Sequence, residues 1–168
     1  MKIGLLSDTH AYLDDKVYDY FKEVDEIWHA GDIGDEHVLS ALQNFKPTVA
    51  VWGNIDGGKL RGLCQGDEFF EREGVRVFMT HIAGKPPKYN PRIRNIIREY
   101  RPQLLVCGHS HILKVMFDKE NDLMFMNPGA AGKHGFHQVK TLLRFDLNDG
   151  KIKNLEIVEM GARAMATN

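Results

Sequence analysis

Cysteine is nearly absent from this chain: Cys64 and Cys107 are the only two in 168 residues. That excludes a disulfide framework, and Cys107 ends a strand-like apolar run, which marks it as a buried thiol. Long apolar runs are missing as well. No stretch approaches the roughly 20 residues needed to cross a bilayer, and the first residues already read as a core strand, leaving no room for a signal peptide. A cytoplasmic protein with no membrane partner is expected. A charge excess of either sign is also lacking: 22 basic residues oppose 23 acidic ones, for a net charge of −1. No global basic field favours a long nucleic acid. No internal repeat, linker or low-complexity stretch stands out. Hydrophobic residues make up 43% of the chain, enough for one domain, residues 1–168, with a substantial core.

Against this plain background, polar side chains recur at one kind of place. Asp8-Thr9-His10 follows the strand-like run Ile3–Ser7, and Gly108-His109-Ser110-His111 follows Leu104–Cys107. Between them Gly31-Asp32, Gly53-Asn54 and Thr80-His81 each follow an apolar run. Taken singly, these are ordinary: Gly-Asp and Gly-Asn are common turn dipeptides, and a strand-end histidine is often just satisfied. Taken together, five strand ends present seven donors: Asp8, His10, Asp32, Asn54, His81, His109 and His111. Ligands gather at the carboxyl ends of strands in open sheets. Oxygen and imidazole donors without a thiolate suit a pair of divalent ions.

Periodicity places these motifs on an alternating scaffold. Strands are expected near 2–7, 25–29 and 48–52, separated by helices near 13–23 and 35–45, the second with Asp35 as N-cap. Glu68–Glu73, a turn at Gly74 and Val75–Met79 read as a hairpin. Pro91 opens a helix near 91–100. Strands near 104–107, 113–118 and 122–126 precede a last hairpin, 139–147 and 151–158, turning at Asn148-Asp149-Gly150. Parallel β-α units followed by antiparallel strands predict two packed sheets flanked by helices.

The ordered set D-x-H, GD, GN-x-D, H and GH-x-H resembles the calcineurin-like metallophosphoesterases. The spacing is most similar to their small YfcE-type phosphodiesterases, from Lys2 to about Val158, including the Asn127-Pro128-Gly129 turn. The resemblance implies a four-layer αββα sandwich of two mixed sheets. It implies two divalent ions, Mn²⁺ first, with Fe, Zn²⁺ and Ni²⁺ as the other candidates. Asp8, His10, Asp32 and His111 would hold one, and Asp32, Asn54, His81 and His109 the other, with Asp32 bridging. A metal-bridging hydroxide would attack the phosphodiester, with Asp32, Asn54, Asp56 and His109 at the reaction centre. Two ions bring +4 and the two aspartates return −2, so the site would attract an anionic, small phosphorylated substrate, nucleotide-like in character. Activity should fall below about pH 6, because the ligand histidines must be neutral. A homo-oligomer is a further expectation. The alternatives are a phosphomonoesterase of the same fold, or a scaffold like the retromer subunit, which departs from the pattern at ligand histidines where this chain keeps all seven positions.

Two departures bear on substrate. Relatives often carry His after the Gly-Asn pair, where it can protonate a leaving group; here Ile55 stands in that place. Such help is typically worth about 10²–10⁴-fold, so leaving groups that need little protonation, such as aryl or nucleotide-like alcohols, are expected. Asp56 either orients water or a ligand, or caps the Gly57-Gly58 turn. After His81, relatives often carry a second His where Ile82-Ala83 stands. The basic run Lys85 to Arg101 leaves the His81 strand end, which makes Lys88 and Arg92 candidate phosphate contacts. His29 reads as a packed core histidine beside the site and His37 as an exposed helical one. Lys133–His137 is placed for a substrate-facing loop.

Overall fold

The computed structural model describes residues 1–163. Its strands are β1 (Lys2–Leu6), β2 (Glu26–His29), β3 (Thr48–Ala50), β4 (Asp67–Arg72), β5 (Val75–Thr80), β6 (Gly84–Lys85), β7 (Lys88–Tyr89), β8 (Leu104–Val106), β9 (Leu113–Asp118), β10 (Leu123–Pro128), β11 (Val139–Asn148) and β12 (Lys151–Ala162). Its helices are α1 (Lys16–Phe21), α2 (Glu36–Phe45), α3 (Gly58–Leu63) and α4 (Pro91–Tyr100). Two five-stranded mixed sheets form, in the orders β12-β11-β1-β2-β3 and β4-β5-β8-β10-β9.

Strand periodicity builds the layers. In β1, Ile3 and Leu5 enter the core between the sheets, while Leu6 belongs to the cluster with Val17, Phe21, Val38 and Leu42 of α1 and α2. In β8, Leu104 and Val106 face that same inter-sheet core, while Leu105 packs with Ile93 and Ile97 of α4. A layer of helices therefore lies outside each sheet, giving the αββα sandwich. Both faces of β1 and β8 are buried, which is why their sequences are continuous apolar runs rather than alternating ones.

Most expected elements are present with small boundary shifts. The helix expected at 13–23 is shorter, because the Asp14 carboxylate is taken up by the buried Lys140 ammonium and by the backbone N–H of Lys16. Asp35 caps α2 as expected, accepting from the His37 backbone N–H at 2.9 Å. Two elements were not expected: the short helix α3 and the hairpin β6–β7. Both cysteines are buried and free.

Candidate metal centre

β1 and β2 are neighbours in one sheet and β8 lies in the other, and the loops that leave them meet and carry most of the donors. Asp8, His10, Asp32, His109 and His111 all adopt positive φ, between 47° and 68°. That left-handed conformation is uncommon for side-chain-bearing residues and clusters at functional sites. Here backbone bonds over-determine it: Asp8 N–H to Gly31 O at 3.0 Å, His10 N–H to Asp32 O at 3.0 Å and Ala11 N–H to Ile33 O at 2.8 Å. The Asp8 carboxylate itself accepts from the His109 N–H at 3.1 Å. Two glycines allow the loops to touch. A Cβ on Gly53 would sit 2.1 Å from Asp32 Oδ1, and one on Gly108 would sit 2.0 Å from Ser7 Oγ.

The donors fall into two groups whose ligand atoms lie within 4.8 Å of one another: Asp8, His10 and His111, and Asp32, His81 and His109. Asp32 links them. Its Oδ1 is 3.2 Å from His81 Nε2 and its Oδ2 is 3.8 Å from His10 Nε2. In the first group, His111 Nε2 lies 3.2 Å from Asp8 Oδ1 and 3.3 Å from His10 Nε2. Asn54 is exposed and borders the same cavity as His81.

The bonding of these atoms fits cations between them. His81 Nδ1 donates to Ala30 O at 2.7 Å, which leaves its Nε2 lone pair aimed at carboxylates. Buried Asp8 Oδ1 and His81 Nε2 have no hydrogen-bond partner despite the close approaches. Burial works against charging Asp32, but His81 and other neighbours outweigh it and hold its pKa below the usual carboxylate value. Burial likewise opposes the His81 cation, but Asp32 and Asp8 prevail and raise its pKa above 6.5. His10 moves the other way, because burial outweighs the same two aspartates. Two buried carboxylates among four imidazoles are thus set to receive positive charge, and a divalent ion supplies it without a proton.

Side chains behind the donors hold the loops. His29 is fully buried and its pKa is lowered by burial to about 4, so it is neutral. Its Nδ1 accepts from Gly31 N–H at 3.2 Å, so Nε2 donates to Thr9 Oγ1 at 2.9 Å, and Thr9 donates to Ile33 O at 2.9 Å. This relay pins the Asp8–His10 loop to the Asp32 loop. Asp56 accepts from the N–H groups of Ile33 (3.1 Å), Gly34 (2.7 Å) and Gly53 (2.7 Å), tying the Asp32 loop to the Asn54 loop. Both of its oxygens are thereby occupied, and it neither caps the Gly57-Gly58 turn nor joins either donor group. Asn127 holds the third loop, donating to Gly108 O at 2.8 Å and Ser110 Oγ at 3.1 Å. Sequence reading missed the roles of Thr9 and Asn127; the signals present were Thr9's place inside the Asp8-Thr9-His10 motif and the Asn127-Pro128-Gly129 turn, and neither told which backbone groups they would hold.

The expected substrate contacts separate. Arg92 borders the Asn54 cavity, but its guanidinium pairs with Asp67 and donates to Thr80 Oγ1 at 3.2 Å. Lys88 lines a different cavity, beside His109. Ile55 and Ile82 are 46% and 42% exposed and present apolar surface at the centre, whereas Ala83, at the place of the second histidine, is buried. The 133–137 segment folds over the first group: His134 lies 5.3 Å from the His10 ring and Phe136 stacks 5.7 Å from His111.

Fold and site together define a phosphoester hydrolase built on two sheets, and comparison with known proteins agrees. The profile of the calcineurin-like phosphoesterase superfamily domain matches residues 1–150. The chain belongs to that superfamily and is a metal-dependent phosphoesterase. A probable metallophosphoesterase of Methanothermobacter thermautotrophicus is 29% identical, covering 96% of this chain and 94% of its own. A phosphodiesterase of Methanocaldococcus jannaschii is 26% identical, covering 77% of this chain and 83% of its own. Among solved structures, Vps29 of Entamoeba histolytica in complex with Zn²⁺ superposes with a TM-score of 0.72 at 17% identity, covering 95% of this chain and 99% of that one, a likeness of fold. No described helix is long and apolar enough to cross a membrane.

Proposed function

We propose that the protein, as a single domain over 1–168, is a two-metal phosphodiesterase. It would convert RO–PO₂⁻–OR′ and water to the monoester and R′OH. One ion would be held by Asp8, His10, Asp32 and His111, and the other by Asp32, Asn54, His81 and His109. The observation that carries this reading is Asp32, whose two oxygens lie 3.2 Å from His81 Nε2 and 3.8 Å from His10 Nε2. Two divalent ions would supply Lewis acidity toward the phosphoryl oxygens and a water that ionises near neutrality. Oxygen and imidazole donors without a thiolate suit Mn²⁺, Fe, Zn²⁺ or Ni²⁺ over Mg²⁺, and Mn²⁺ is taken as the activating ion.

The chain's own contribution is position and charge. Asp56, His29 and Asn127 fix the three ligand loops, so the donors need no reorganisation when substrate arrives. Ile55, standing where relatives often carry a histidine, offers no proton to the leaving group. The enzyme should therefore prefer aryl or nucleotide-like diesters, with rates on unactivated alkyl diesters lower by about 10²-fold or more. Equal rates on both would sink this preference. The likeness to a relative named a phosphodiesterase supports a diester over a monoester.

The decisive assay is hydrolysis of bis(4-nitrophenyl) phosphate by metal-stripped protein with and without Mn²⁺. Turnover that depends on Mn²⁺ and disappears in Asp32→Asn supports the reading. Folded protein that binds metal and turns over nothing would favour the scaffold reading, which the Vps29-like fold and the exposed Ile55 and Ile82 also support. Retention of all seven donors argues for the enzyme.

A further inference from the structure

A second cavity, of about 430 Å³, opens beside the centre, lined among others by Ile82, Lys85, Lys88, His109, Ile112 and Lys114. That volume falls within the range of small-ligand sites. Three lysines and no carboxylate-bearing residue line its wall. Among the described residues none of the three lysines has an ion-pair partner. The neighbouring cavity differs: there Asp67 pairs with Arg92, and the Arg61 guanidinium lies 4.4 Å from the Trp52 ring.

The arrangement of the lysines is costly by itself. Lys85 and Lys88 face each other in register across β6–β7, and like charges directly opposite are destabilising. The hairpin is nonetheless closely built. Gly84 takes φ +79°, where a Cβ would lie 2.7 Å from Lys88 O, and Asn90 N–H donates to Ala83 O at 3.2 Å. Lys114 comes from the other side, on β9, paired in register with Asn127. Ile82 and Ile112, 42% and 58% exposed, line the same cavity, each immediately following a candidate ligand histidine. Cations without counter-charge beside uncovered apolar walls match a ligand that is anionic at one end and apolar in its body.

We propose that this cavity binds the arm of a phosphodiester that carries a second phosphate. The reacting phosphate would lie at the donors, the lysines would take the distal phosphate, and Ile82 and Ile112 would cover the planar or apolar body between them. The substrate class is thus a nucleotide diester with an additional terminal phosphate. This rests on the phosphodiesterase reading above for the identity of the reacting bond.

Two thymidine esters test it, the 5′-(4-nitrophenyl phosphate) with and without a 3′-phosphate. Wild-type protein with Mn²⁺ should show a KM roughly tenfold lower for the 3′-phosphorylated ester, the worth of one charge-assisted contact. In Lys85→Gln/Lys88→Gln/Lys114→Gln that ratio should collapse toward one. Equal KM values in the wild type, or a preference that survives in the triple variant, overturn the proposal while leaving the phosphodiesterase reading intact. Turnover of neither ester counts against that reading instead, and calorimetry then decides this one. Thymidine 3′,5′-bisphosphate should bind Mn²⁺-loaded wild type roughly tenfold more tightly than thymidine 5′-monophosphate, and equally in the triple variant. Equal affinity in the wild type overturns the proposal.

Discussion

Asp32 is the residue on which the candidate centre turns. It is buried, sits at φ 52°, and its two oxygens approach different donor groups. Asp32→Asn keeps the shape and removes the charge. We expect kcat/KM on an aryl diester to fall by about 10³-fold or more, the rate worth of several kcal/mol of charge stabilisation, and bound Mn²⁺ to drop below two per chain. Retained stoichiometry with retained activity would refute the bridging role. Gly53→Ala approaches the same atom from another direction, since the new Cβ would lie 2.1 Å from Asp32 Oδ1. It deletes no ligand, yet should reproduce the loss of metal and activity by pushing Asp32 aside. Wild-type Mn²⁺ binding in Gly53→Ala would mean that the loops have more freedom than their backbone bonds imply.

At the scale of elements, loops held against one another matter more than strands. Asp56 joins the loops after β2 and β3 through three backbone N–H groups. In Asp56→Asn an amide NH₂ must face a donor or turn away, so we expect a loss of roughly 2–3 kcal/mol in urea unfolding. Activity should fall because Asp32 and Asn54 lose their relative placement, and excess Mn²⁺ should restore part of it. A variant of unchanged stability with activity abolished would instead make Asp56 a group acting on water or substrate. The sequence left both roles open, because a carboxylate's partners are tertiary and these lie up to 23 residues away. The same reason hid the Arg92–Asp67 pair, 25 residues apart. By contrast β1, β5 and β8 were legible, since burial on both faces writes itself as an apolar run with a donor at its end. Helix α3, GKLRGL, carries two glycines in six residues, and β6 and β7 have two residues each flanking Pro86-Pro87. Such elements exist through their contacts and leave no periodic trace.

At the scale of the whole molecule, the centre is linked to stability through protons. His29 is buried with its pKa lowered from 6.5 to about 4 because burial disfavours the cation. Above pH 6.5 the ring is neutral in folded and unfolded chains, and the relay through Thr9 stabilises the fold in full. As pH falls from 6.5 toward 4, the unfolded chain takes up a proton that the folded chain refuses, so stability is lost across that window. His81, raised by Asp32 and Asp8, has the opposite sign in metal-free protein: its stabilising contribution is present below 6.5 and lost as pH climbs through its higher folded value. The two can be separated in chelator-treated protein by comparing wild type with His29→Asn, whose carbonyl can still accept from Gly31 N–H. Between pH 7.5 and 5.0 the His29 share amounts to roughly 2 kcal/mol. Urea midpoints should therefore fall with acid by less in His29→Asn than in wild type, even though the variant is the less stable protein at pH 7.5. Parallel falls in the two proteins would show that His29 is not the group that resists protonation, and would move the origin of acid lability to His10 and His137, whose pKa values burial also lowers.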